Sequence, residues 1–237
     1  MATPRAGYGG TMTELTAASA PPRVRKPRGS YAKTAEKRLA ILDAALEVFS
    51  QGYHGGSLRD IAARVGMSEA GLLHHFKSKS ALLMAVLDHR DEHSRSIVDL
   101  ESEDGADALR GLVALARYNQ SVPGVVELFC VLSAEATAPD HPAHDYFTRR
   151  YVDVRTSIRG SFERVAAAGR LRGDVDPDRA AVATIAMMDG LQVQWLLNPD
   201  AIDMADALAD FLRALVLGFD MTSLEEALDA AIVLPRD

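Results

Sequence analysis

The sequence predicts an all-α chain in two parts, a three-helix N-terminal domain holding a helix-turn-helix and a longer helical domain behind it. Three observations predict it. Apolar residues recur at helical spacing from about residue 34 onward, extended alternating apolar runs are scarce, and residues that start helices punctuate the chain.

Composition sets the outer bounds. Of 237 residues, 48% are hydrophobic and 25% charged, ordinary for a globular chain with a sizeable core. A single cysteine, Cys130, excludes an intramolecular disulfide framework. The N-terminal stretch lacks the apolar run of a secretion signal, and no segment offers about 18 uninterrupted apolar residues. A soluble cytoplasmic protein with no membrane partner is the expectation. The net charge of -7 is unevenly spread: residues 1–80 hold 12 Lys/Arg and 6 Asp/Glu, and residues 81–237 hold 14 and 27. A basic front suits the approach to a polyanion, whereas the acidic body would be repelled by one.

Residues 1–33, rich in Gly, Pro, Thr, Ala and Ser, read as a flexible arm with a basic run at Arg23, Arg25, Lys26, Arg28 and Lys33. It is either a solubilising tail or an arm for phosphates. The next unit, 34–80, opens with Leu39, Leu42, Ala45, Leu46 and Phe49 at helical spacing, ended by Gly52, Gly55 and Gly56. Ser57 followed by Asp60 resembles a capping box for a second helix with apolar Leu58, Ile61, Ala62 and Val65. Gly66 breaks that helix, Ser68 caps a short third one to about His75, and Ser78 caps a fourth. Two short helices around a tight turn need the first as a floor, so Phe49, Leu58, Ile61, Val65, Leu72 and Phe76 are the candidate core. Residues 81–237 carry helices at about 104–120, 122–137, 143–168, 177–197, 203–219 and 222–233. Asp176-Pro177 and Thr222 with Glu225 are start signals.

The run SLRDIAARVGMSEAGLLHHFKSKSALLMAVL resembles the N-terminal domain of the TetR family of bacterial transcription regulators, and ILDAALEVFSQGYHGGS is similar to the segment before it. The piece MMDGLQVQWLLNPD is similar to a late helix of some members. The resemblance implies a homodimer that sets its third helix in the major groove of a double-stranded DNA operator. It implies a fourth helix on the backbone and a C-terminal domain that pairs and encloses a small-molecule effector. Two positions depart from the family pattern: Gly71 stands where threonine is common, and Leu73 where a phosphate-contacting tyrosine is usual.

The candidate DNA contacts follow from both readings. Ser68, Glu69, Ala70 and Gly71 lead the short third helix and would meet base edges first. Ala70 suits a thymine methyl, and Glu69 suits a cytosine amino group or solvent. His74, His75, Lys77 and Lys79 would donate to phosphate, with Ser57 and Arg59 as further contacts. Adjacent histidines on a helix point about 100° apart, which argues against a metal claw at His74 and His75. No cofactor or metal is expected.

In the body, small residues of 177–197 and the apolar side of 203–219 suggest a four-helix interface across two chains, with an intrachain core as the alternative. Phe129, Cys130, Phe147, Tyr151, Phe162, Met187, Met188, Gln192 and Trp195 are candidate walls of an effector pocket. The acidic body favours a neutral or cationic ligand. Asp140, His141, His144 and Asp145 read as an exposed polar linker. The leading function is a ligand-responsive repressor released from a palindromic operator. The alternatives are a regulator without an effector and a metal-dependent helical enzyme built on His141 and His144.

Overall fold

The computed structural model describes residues 29–222, with side chains from residue 34. Nine helices fill that span: α1 (Gly29–Phe49), α2 (Leu58–Arg64), α3 (Glu69–His75), α4 (Lys79–Ile97), α5 (Gly105–Gln120), α6 (Pro123–Glu135), α7 (His144–Ala167), α8 (Pro177–Leu197) and α9 (Met204–Leu215). The start signals act as caps. The hydroxyls of Ser57, Ser68 and Ser78 accept from the backbone N–H groups of Asp60, Gly71 and Ala81, and the Asp176 carboxylate accepts from Arg179 N. Gly66 takes the left-handed conformation, φ 64°, that turns α2 into α3.

Two boundaries depart from expectation. α1 begins at Gly29, so Lys33 belongs to a helix and not to the arm; the rest of the basic run lies outside the described residues. α9 stops at Leu215, short of 219, because the chain beyond it pairs sideways with the segment after α7. Arg172 N donates to Leu215 O and Leu217 N to Arg170 O, at 3.0 and 2.7 Å. The element at 222–233, with its Thr222–Glu225 signal, lies almost wholly outside the described residues. Position 80 falls in the first turn of α4, so this one helix belongs to both parts.

Two hydrophobic cores form. The first joins Ile41, Ala45 and Phe49 of α1, Ile61 of α2, Leu72 of α3 and Leu82 to Leu87 of α4; Leu58 and Val65 are half-buried beside it. It continues into Leu128, Phe129, Leu132, Tyr146 and Phe147, so α6 and the start of α7 seat the N-terminal helices. The second core joins α5, α7, α8 and α9 through residues such as Leu109, Phe162, Trp195 and Leu208. α5 and α7 cross closely at Gly105, where a Cβ would lie 2.2 Å from Ser161 O.

α8 is long and apolar enough by length and composition to pass for a membrane span, with mean hydropathy 1.3, although Asp189 interrupts its apolar run. Its apolar character has another use. Ala180, Ala181, Thr184, Leu191, Gln192 and Trp195 are buried against α6, α7 and α9.

The N-terminal part and the body meet at a clamp. Glu135 accepts from Tyr53 N at 2.8 Å, and Gly52 beside it has φ 95°. His141 is buried against the edges of Tyr53 and His54, with ring centroids 5.4 and 6.1 Å away. The expectation of an exposed polar linker therefore fails at His141, because the α6–α7 corner folds under the α1–α2 turn. His144 is also engaged, its Nδ1 2.8 Å from Ala136 O.

Candidate functional site

The exposed side of α3 presents Ser68, Glu69, Ala70, Leu73 and His74, with Lys77 just beyond and Gly71 and His75 half-exposed. Leu72 and Phe76 point the other way, into the core. The two faces follow from 3.6 residues per turn, which puts Leu72 one turn from Phe76 and leaves the residues between them outward. Ser68 holds the start of α3, and Gly71 N donates to its Oγ at 3.1 Å. A Cβ at Gly71 would lie 3.3 Å from that same Oγ, so the glycine leaves the cap undisturbed. Ser57 spends its hydroxyl on its own helix, with Asp60 Oδ2 at 2.6 Å, while Arg59 is exposed. The His74 and His75 rings meet edge to face, centroids 6.1 Å apart.

One residue stands differently from expectation. Lys79 rests its ammonium 4.4 Å over the Tyr53 ring, near Glu135, and so faces the interdomain clamp instead of joining the exposed row. Leu73 is 37% exposed and fills no apolar site; it sits among the outward residues of α3.

A cavity of about 610 Å³ opens in the body, walled by α4, α5, α6, α7 and α8. Of the residues expected to line it, Phe129, Tyr151, Met188 and Gln192 do. Phe147, Phe162, Met187 and Trp195 do not. Phe147 packs edge to face on Phe129 and Tyr146 in the first core, Phe162 is fully buried between helices, and Met187 and Trp195 pack into the second core. Cys130 lies behind the wall, its Sγ donating to Gln192 Oε1 at 3.8 Å, and burial pushes the thiol up to about 11. It stays protonated and unreactive at neutral pH.

Sequence reasoning missed the polar part of this wall. Asp91 is buried and accepts from Tyr146 Oη at 2.7 Å, from Arg90 at 3.3 Å and from Arg150. Asp189 accepts from Tyr151 Oη at 2.9 Å, and burial pushes its carboxyl upward. A signal was present. Arg90 follows Val86 and Leu87 by one helical turn, which sets it on the buried side of α4.

The comparisons with known proteins agree with this layout. Residues 41–86 match the model of bacterial regulatory proteins of the tetR family, and residues 103–220 match that of the BetI-type transcriptional repressor C-terminal domain. The transcriptional regulator TtgR of Pseudomonas putida is 31% identical over 201 residues, which cover 81% of this chain and 94% of that protein. The chain belongs to the TetR family. It is a DNA-binding transcription regulator of the helix-turn-helix kind, and α2 and α3 are its helix-turn-helix. RutR of Escherichia coli is 54% identical over 52 residues, 22% of this TetR-family chain and 24% of RutR. A solved TetR-family regulator from a Rhodococcus species superposes with a TM-score of 0.59 at 28% identity, over 76% of this chain and 96% of that one.

Proposed function

We propose that the protein is a homodimeric repressor that reads a palindromic operator with α3 and leaves it when a small organic effector enters the cavity. The observation that carries this reading is the reach of α4. The helix starts at Lys79, beside the recognition helix, and brings Arg90, Asp91, Ser94 and the following Val98 to the cavity wall. A ligand pressing on that wall biases the α4 orientation, and with it the separation of the two recognition helices. The match of residues 103–220 to a repressor C-terminal domain supports the negative sign of regulation.

In this reading Ser68, Glu69, Ala70 and Gly71 meet base edges, and His74, His75 and Lys77 meet phosphates. Arg59, exposed on α2, adds a positive charge to the helix-turn-helix. The dimer forms on the outer side of α8 and its neighbourhood, where Val182, Val193 and Leu197 are 50%, 49% and 81% exposed. Ala180, Thr184, Leu191, Leu208 and Leu212 face inward and serve the chain's own core instead. The protein works in the cytoplasm by binding, with no catalytic step.

The test is selection of binding sites from a random duplex library by the full-length protein at two salt concentrations. One enriched palindrome is the expected result. Binding without enrichment would reduce the protein to an electrostatic DNA binder, and a single asymmetric site would remove the dimer from the reading.

A further inference from the structure

We infer that the cavity takes an aromatic carboxylate whose charge docks on Arg90 and Arg150; this rests on reading the cavity as the effector site. The observation is an imbalance of donors and acceptors at the inner wall. Arg90 is 8% exposed, and among the described residues it donates one hydrogen bond, from Nη1 to Asp91. Its Nε is buried without an acceptor. A guanidinium carries five N–H donors and keeps its charge in proteins, so this one is under-paired by protein acceptors at the cavity wall. Arg150 lies beside it: both guanidiniums stand over the Phe129 ring, at 4.2 and 5.1 Å. The two cations share one carboxylate, that of Asp91, which already accepts from three donors.

Asp189, on the same wall, spends its carboxyl on Tyr151, whose hydroxyl donates to it. A ligand carboxylate brings two oxygens in a plane, the arrangement a guanidinium fork accepts best. Breaking even on a buried charge requires such pairing. The rest of the wall, with Leu112, Leu115, Ile185, Met188 and the Phe129 ring, suits a flat apolar body. The acids that tilt the whole body negative, such as Asp88, Glu101 and Asp153, stand exposed around the cavity, where water screens them. The inner wall therefore reverses the preference for a cationic ligand suggested by composition.

Three probes of one shape and different charge test this: 2-naphthoate, 2-naphthamide and 2-naphthylmethylammonium, each titrated into the full-length protein by calorimetry and into its complex with the selected operator. The expected result is naphthoate binding tighter than the amide by about tenfold or more, with the ammonium weakest. Arg90→Met should erase the difference between naphthoate and amide, and Met188→Trp, which fills the cavity, should abolish binding of all three. If Arg90→Met does not fold, the wild-type series decides alone. Equal affinities, tightest binding of the ammonium, or binding of none of the three overturns the inference. Naphthoate binding that leaves the operator complex intact sinks the effector reading but not the anion site; operator release by the ammonium alone does the reverse.

Discussion

Lys77 and Lys79 flank Ser78 at the start of α4, yet they face different surroundings. Lys77 is exposed, whereas Lys79 is held on the Tyr53 ring. Lys77→Ala should weaken DNA binding similarly for all sequences and lower the salt slope by about one, read from affinities across a salt series. Lys79→Ala should leave that slope nearly unchanged and lower the melting temperature, since it removes a cation–π contact of about 0.5–1 kcal/mol. Equal salt slopes for the two variants would show that Lys79 leaves Tyr53 to meet DNA. Glu69 is the exposed acid of α3, and Glu69→Ala should relax preference at one or two base pairs in a repeated site selection; an unchanged motif would place Glu69 in solvent. Ser68 and Leu72 were legible as cap and core because both follow from position along a helix. The partner of Lys79 was not, because Tyr53 reaches it only through the α1–α2 turn.

At the scale of elements, close approaches set the tolerances. Gly105→Ala drives a methyl into the Ser161 carbonyl, and α5 and α7 must separate to admit it. A loss of roughly 1–3 kcal/mol of stability is expected from denaturant unfolding, with operator contacts untouched. The clamp between α6, α7 and the α1–α2 turn has a pH dependence of defined sign. Burial, the leading cause, holds the His141 imidazole below the ordinary histidine range, with Glu135 opposing. Its Nε2 has no hydrogen-bond partner, and Glu135 Oε2 stands 3.5 Å away. As pH falls below about 6.5 the unfolded chain takes up this proton before the folded one does, so stability drops. His141→Asn should remove that part of the slope, measured as melting temperature between pH 7.5 and 5.5. A slope identical to wild type would assign it to other groups. The helix bounds in this region were close to expectation, with Pro123 marking the start of α6. The end of α9 was not, since a pairing with residues 170–172 has no signature in local periodicity.

For the whole molecule, the proposed dimer rests on the outer side of α8. Val193→Glu with Leu197→Glu places two carboxylates on residues that the single chain leaves 49% and 81% exposed. Folding should persist, while sedimentation should show monomers and affinity for a palindrome should fall by orders of magnitude. A dimer that survives both substitutions would move the interface elsewhere. Small residues throughout 177–197 suggested pairing from the sequence, but composition did not separate the inward Ala180, Thr184 and Leu191 from the outward Val182, Ala183 and Val193. That division needs the positions of α6, α7 and α9, which together cover only one side of α8.

The sequence by itself determined the helical class, the order of the elements, the serine and aspartate caps that start several of them and the outward residues of α3. Each of these rests on interactions within a few positions of the chain, where spacing and residue type are enough. The tertiary structure alone decided the cavity and its charge. Arg90, Phe129, Arg150 and Asp189 come from four different helices, and an uneven pairing of buried donors and acceptors exists only once those helices pack. Burial strengthens or forbids a charge according to its neighbours in space, and those neighbours lie up to a hundred residues apart along the chain.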